Sequence, residues 1–491
     1  MPRSATGRPI VRIVLFLLTA IFAAQAGAPQ QPPLPADNSG VIPITTKAAE
    51  ARKLYEGAMV KLENLHSAEA VQDLRKAVKI DPDFALAAIM IAHDWVVEPA
   101  EKTAMLKQAS AAKSKVSRGE QLIVEWIVNT SEGHMVSAIQ AMNEALADYP
   151  NDKHLAWLAG VWLSSQQEWN RAILIFERAI RLDPQFAAPL NGAAYDYAHT
   201  GSFDKAFAAM DAYIKLLPND ANPQDSYAEI LRMAGKFPDA LSHYQASLKI
   251  DPGFVESQLG IADTYALMGD EDRARKEYAI AIEHTRSRSW AANWALNAAI
   301  TYVREGNFKG ADGAFRAVAA NAHRDDLAEQ EARAYRMMAM YQTDSSVAIR
   351  LLQEAEGALQ NKHSLSESTR TRELALILRA RASVAAREKK FSQADAIIKQ
   401  IQELVDRTQD LTIQHAYDGA AGEVLAAEGK FQDALSHLEE DDHNPLSVKV
   451  MAAVCKSLGN KARAEEMTKR LQNWHEPTLE QALISLASRH A

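Results

Sequence analysis

A chain of 491 residues is too long to be built around one ordinary globular core, so it is either several domains or a repeat array that lengthens without enlarging its core. With 47% apolar and 24% charged residues, it has the balance of a folded protein and not of a disordered one. A formal charge of −9, with no dense Lys/Arg block anywhere, excludes nucleic acid as a partner, because that binding needs a cationic field to displace counterions.

The chain opens with Arg3, Arg8 and Arg12, followed by the apolar run Ile13 to Ala24 and small residues at Ala24 and Ala26. This pattern predicts a secretory signal peptide over 1–26, and with it an exported, periplasmic or cell-envelope protein. The alternative is an inner-membrane anchor through an uncleaved 13–24 segment, but that run is shorter than the ~20 residues of a spanning helix. No later stretch is apolar enough to span. Cys455 is the only cysteine, so no disulfide forms within the chain, and in a helical context it reads as a small buried hydrophobe. Residues 27–45 are rich in Pro and Gln and read as a flexible linker, with folded structure expected from about residue 46.

From there an interval of 34 residues dominates. Ala70, Ala104, Ala138, Ala172, Ala206, Ala240 and Ala274 occupy seven successive steps of it. Pro82, Pro150, Pro184, Pro218 and Pro252 recur at the ends of units, Ala77, Ala111, Ala145, Ala179 and Ala281 recur just before the unit end, and Gly201, Gly235 and Gly269 fall in the middle. Each unit reads as helix, Gly turn, helix, Pro exit, which is an antiparallel helix pair. Small residues at fixed places let helices cross closely; in the unit from residue 153, Gly160 and Ala172 are the expected crossing points, with Leu163, Phe176 and Leu182 as the large side chains between them.

The stretch from Leu155 to Phe186, with its closing Leu182-Asp183-Pro184, resembles the tetratricopeptide repeat family. The match runs unbroken over 51–288 as seven repeats and resumes after a three-residue slip at 292–325 with Ala299, Tyr302, Gly306, Ala311 and Phe315. Degenerate helical repeats follow over 326–374, where only Ala348 and Leu352 keep the signature, then C-terminal repeats over 375–476. Residues 477–491, with Thr478 and Gln481 at capping-box spacing, are expected to form a helix that covers the last repeat. The resemblance implies an all-α, right-handed superhelical solenoid of about twelve antiparallel helix pairs plus a C-terminal capping helix.

Motifs of catalysis are missing: there is no phosphate loop, nucleophile elbow, His-Glu-x-x-His helix or paired-cysteine pattern, and no cofactor or metal is expected. The turn from His437 to His443 gathers two histidines with Glu439, Glu440, Asp441 and Asp442, and reads as a solvated acidic turn in preference to a metal site. Trp95, Trp126, Trp157, Trp162 and Trp169 read as core filling, and Tyr195 with His199, one turn on, as an ordinary pair on a helix face.

In the family, the first helix of each unit lines the concave groove through its second, fifth and ninth positions. Here these are Leu86, Ile89, Ile123 and Ile127 at an apolar end, then His154, Trp157 and Val161, then Asn191 and Tyr195. Asn222, Asp225 and Glu229 follow, with Arg232 one turn on, and then Glu256 and Asp263. A groove of this kind implies a protein or peptide partner, and its acidity points to a neutral or basic segment; Asn191 and Asn222 lack the lysines a carboxylate clamp would need. The expected function is a non-catalytic exported bacterial scaffold serving assembly, secretion or export at the envelope. The alternative is the repeat portion of an envelope hydrolase or transferase whose site lies in 326–374 or near the C-terminus.

Overall fold

The computed structural model describes residues 39–64, 66–94, 96–360 and 365–489, so the expected signal segment, Trp95 and most of the linker lie outside the described residues. Residues 40–45 of that linker are nevertheless pinned. Ile42 is buried, and its backbone N–H donates to Asp152 Oδ2 at 3.0 Å. Gly40 O accepts from Asn151 N at 2.9 Å, and Thr45 N donates to Glu120 Oε1 at 2.8 Å. Packed chain therefore begins before the residue 46 suggested by composition, because one apolar side chain and three backbone hydrogen bonds outweigh a Pro-rich surrounding.

Among the described residues regular structure is helical, with 25 α-helices and one short 3-10 turn. The first fourteen pair as α1 (Ala49–Glu63) with α2 (Ser67–Ile80), α3 (Ala85–His93) with α4 (Pro99–Ala112), and α5 (Arg118–Glu132) with α6 (Met135–Asp148). They continue as α7 (Lys153–Ser165) with α8 (Trp169–Leu182), α9 (Ala188–His199) with α10 (Phe203–Leu216), α11 (Ala221–Met233) with α12 (Phe237–Ile250), and α13 (Val255–Met268) with α14 (Glu271–His284). Five longer or irregular pairs follow: α15 (Arg288–Arg304) with α16 (Phe308–Arg324), α17 (Ala328–Met340) with α18 (Ser345–Ala358), and α19 (Glu367–Arg387) with α20 (Phe391–Thr408). Then come α21 (Leu411–Ala427) with α22 (Phe431–Glu440), α23 (Pro445–Ser457) with α24 (Lys461–Gln472), and a lone α25 (Leu479–Arg489). Each helix packs on its pair mate and on the next pair, which makes the unit an all-α solenoid of twelve pairs and one extra helix.

The small-residue rule accounts for most of the packing. Ala70, Ala138, Ala172, Ala206, Ala240 and Ala274 are each 0% exposed. Phe176 shows why the neighbouring glycines matter: a Cβ on Gly160 would meet its ring at 2.5 Å, and one on Gly192 at 2.3 Å, so two successive pairs close on one phenyl ring. Leu182, expected to fill such a hole, is instead 38% exposed, since it ends α8 on the outer face.

Ala104 and Ala111 break the rule. Both are exposed, and Ala109 and Ala112 face the core in their place. Helix α3 has only nine residues, and the chain then turns through Asp94, whose Oδ1 accepts from Val96 N at 2.9 Å, before Pro99 opens α4. This longer connection rotates α4 relative to its neighbours, so the 34-residue step survives in sequence but not in the face it presents.

Distant pairs also touch. His66 Nε2 lies 3.0 Å from Asp220 Oδ2, Glu98 Oε1 accepts from Arg288 N at 3.0 Å, and Arg372 Nη2 donates to Gln166 Oε1 at 3.1 Å. Successive turns of the superhelix therefore bear on one another. The expected covering helix α25 takes part in this closure: it meets the last pair through α23 and otherwise packs on α15, far back along the chain.

Candidate partner-binding groove

The polar positions read from the sequence fall on the inner helices α9, α11 and α13, where the 34-residue step places equivalent residues side by side. Tyr195 on α9 donates its hydroxyl to Glu229 Oε2 on α11 at 2.8 Å, and Glu229 Oε1 accepts from Arg232 Nη2 at 2.7 Å. Asp225, one turn before Glu229, accepts from Ser257 Oγ on α13 at 2.7 Å. Asp263 accepts from the Tyr278 hydroxyl on α14. A ladder of carboxylates and phenols thus runs across three consecutive pairs.

Its electrostatics follow from burial. Loss of hydration holds the Asp225 carboxyl well above the ordinary carboxylate range, opposed by the Ser257 bond, and pushes Asp263 up to about 6 against the pull of Arg232. Burial likewise raises Glu256 and the Tyr195 phenol. Arg232, only 4% exposed, supplies the cation of the ladder and lies beside the buried Tyr244 phenol. Asn191 Oδ1 is buried without a partner.

Other expected groove residues sit elsewhere. Asn222 is 0% exposed, donating Nδ2 to the Tyr213 hydroxyl at 2.6 Å and accepting from Ser226 at 3.2 Å, so it fixes the α10–α11 junction and has nothing left for a ligand. Leu86, Ile89, Ile123 and Ile127 are buried in the core and do not form an apolar groove mouth; α5 is covered by α3 and by α19 of a later turn. Trp157 is half-buried beside Ala156, Ala179 and Phe186, and His154 bonds Glu63. Tyr195 and His199 do different things: the His199 ring stacks on Trp169 at 4.9 Å. Trp126 and Trp162 meet edge to face at 5.7 Å in the core.

The acidic turn after α22 is not simply solvated. Asp441 is buried and accepts from Arg379 Nη2 at 2.6 Å, His437 Nδ1 lies 2.7 Å from Asp418, His443 Nε2 lies 2.8 Å from His415 Nδ1, and Asp442 accepts from Arg470 at 2.8 Å. Its side chains point to separate partners and do not converge on one centre.

A second concave region escaped the sequence pattern. A cavity of about 690 Å³ lies against α17, α19, α21, α23 and α25, with Met340, Leu376, Val384, Leu446 and Val450 in its wall beside the guanidiniums of Arg336 and Arg379. Both arginines lie beyond the regular 34-residue register; the only local hint was an arginine interrupting an otherwise apolar inner-helix face.

Compared with known proteins, residues 231–292 match the model of the tetratricopeptide repeat family. No curated protein sequence matches the chain. Among solved structures, similarity is found to a chain of the Cut9–Hcn1 hetero-tetramer of the APC/C, with 15% identity, 86% of this chain and 76% of that chain covered, and a TM-score of 0.42. A tetratricopeptide repeat protein from Parabacteroides merdae gives 13% identity, 63% and 99% coverage and 0.35. YrrB, described as a tetratricopeptide protein with an unusual peptide-binding site, gives 18%, 43% and 98%, and 0.26. The family match spans the end of α11, helices α12 to α14 and the start of α15.

Proposed function

We propose that this tetratricopeptide-type protein is a non-catalytic scaffold that binds a protein or peptide segment in its concave groove, along the ladder from Asn191 and Tyr195 through Asp225, Glu229 and Arg232 to Glu256 and Asp263. The observation carrying this reading is that ladder: polar groups fixed at one step on three successive inner helices, beside the buried, unpartnered Asn191 Oδ1. An extended segment laid along repeats meets the same kind of group at a regular spacing, which suits main-chain and side-chain recognition better than a reaction at one point. Its carboxylates outnumber its single guanidinium, so a neutral or basic segment suits it.

The place of work we infer is the cell envelope after export, supported by the arginine-led apolar run of residues 1–26. Protein recovered from the producing cell should begin near Gly27 by N-terminal sequencing; soluble cytoplasmic protein with Met1 intact would sink that part. For the groove, the full chain immobilised as bait in envelope extract should recover a partner that the Tyr195→Ala/Glu229→Ala chain, of equal helicity, does not. Equal recovery by both would remove the ladder from the reading.

A further inference from the structure

The lone helix α25 lies in a groove formed largely by a helix far back along the chain. After α24 the chain runs without regular structure through 473–478 and then lays α25 onto α15 and α23, which are both inner helices. Leu479 and Ala482 are 0% exposed and join Leu296, Ile300 and Val303 in one apolar cluster. Arg304, itself buried, donates Nη1 to Gln481 Oε1 at 2.5 Å.

The adjoining side of α25 carries Glu480 and Leu483 into the wall of the 690 Å³ cavity. Facing them are two guanidiniums, each hydrogen-bonded to one carboxylate, with Glu329 near Arg336 and Glu423 near Arg379. Arg336 grips Glu373 through Nε and Nη2, at 2.5 and 3.3 Å, while its Nη1 meets the Met340 sulfur at 3.9 Å, a weak acceptor. The hydrogen bonds of Arg379 to Asp441 and Ser447 both use Nη2. Glu480 is the carboxylate of α25 whose field reaches both arginines. The cavity thus continues the α25 seat, and its volume lies within the range of real binding sites.

We propose that α25 is a resident but displaceable occupant of a helix-binding groove, and that the external ligand of this groove is an amphipathic helix offering a Leu/Ala face and an acidic residue to Arg336 and Arg379. This rests on the reading of the chain as a partner-binding scaffold, but it concerns a different part of the groove and a partner of opposite charge from the one the α9–α13 ladder suits. The tether from α24 keeps α25 at a high effective concentration, so a free helix competes at a disadvantage until α25 is released. The device therefore makes partner capture conditional.

The test uses the full chain and a labelled synthetic peptide of residues 474–489 as probe. The Leu479→Asp/Ala482→Asp chain, whose tail cannot re-seat, should bind the peptide at least about tenfold more tightly than wild type does, the effective-concentration advantage having been removed. A peptide carrying Glu480→Lys should bind that chain about tenfold or more weakly, as the loss of a charge-assisted contact requires. Tyr195→Ala/Glu229→Ala, made in the same background, should leave peptide binding unchanged, which separates this proposal from the ladder reading. Hydrogen exchange of α25 in the wild-type chain gives an independent measure that needs no tail substitution: excess peptide should deprotect 479–489. Equal binding by wild-type and released chains, indifference to the Glu480→Lys change, or unaltered exchange of α25 would overturn the proposal.

Discussion

The first seven pairs and the last five solve the same packing problem differently. In α1–α14 the second helices have 14 residues each and, α4 excepted, close on alanines set 34 apart, while the Phe176 ring is gripped between Gly160 and Gly192 of successive pairs. In α15–α24 the inner helices lengthen, to 21 residues in α19 and 17 in α21, and the alanine step dissolves. The inner surface there is held instead by buried ion pairs, Arg336 with Glu373 and Arg379 with Asp441. Regular spacing thus goes with second helices of uniform length. Once lengths vary, each interface must be completed by its own side chains.

Two substitutions set the two regions against each other at the largest expected effect. Phe176→Ala leaves a hole that Gly160 and Gly192 cannot fill and should cost about 3–5 kcal/mol. Arg336→Ala strands Glu373 as a buried lone carboxylate and should cost a similar ~3–5 kcal/mol. Hydrogen exchange read region by region should show the first loss in α7–α10 and the second in α17–α20; loss spread evenly over the chain by either change would mean that the two regions do not differ as described.

The next effect is in pH, where the regions should slope in opposite directions. Burial raises Asp196 on α9 to about 7, with the Ser164 bond opposing, so its stabilising contribution is complete below the ordinary carboxylate range and is lost as pH rises through 7. Burial and the neighbouring His443 depress His415 on α21 to about 4, so its contribution is present above the ordinary histidine range and is lost as pH falls through 4. Asp196→Asn should flatten the neutral side of a stability profile and His415→Gln the acidic side. A profile that each substitution merely shifts vertically would refute these assignments.

The smallest expected effect is Tyr195→Phe. Deleting the hydroxyl that bonds Glu229 should cost only about 1 kcal/mol in denaturant titration, with the cooperativity of unfolding unchanged. A much larger loss would mean that the ladder is a structural brace before it is a recognition surface.

The legible part of the groove was the part tied to the repeat step. Asn191 with Asp225, and Tyr195 with Glu229 and Asp263, could be placed on one face because 34 residues separate them. Asn222 occupies an equally regular position, but its amide was taken up by Tyr213 and Ser226, and only side-chain geometry reveals that. Ala104 was misplaced for a related reason: the step was intact, while a longer turn before Pro99 rotated its helix. The cavity at Arg336 and Arg379 left no trace in the period, because both arginines draw their partners from later, unequal helices.

Alternation of small and large residues, turn glycines and exit prolines determined the helix pairs by themselves, since each pair is stabilised by contacts with itself and its neighbours, and nearest-neighbour packing is written in local pattern. Tertiary structure alone decided which loops of successive turns meet, as His66 meets Asp220 and Gln166 meets Arg372, and where α25 comes to rest. Those contacts depend on a small rotation accumulated from pair to pair, and no stretch of sequence short enough to show a pattern contains that sum.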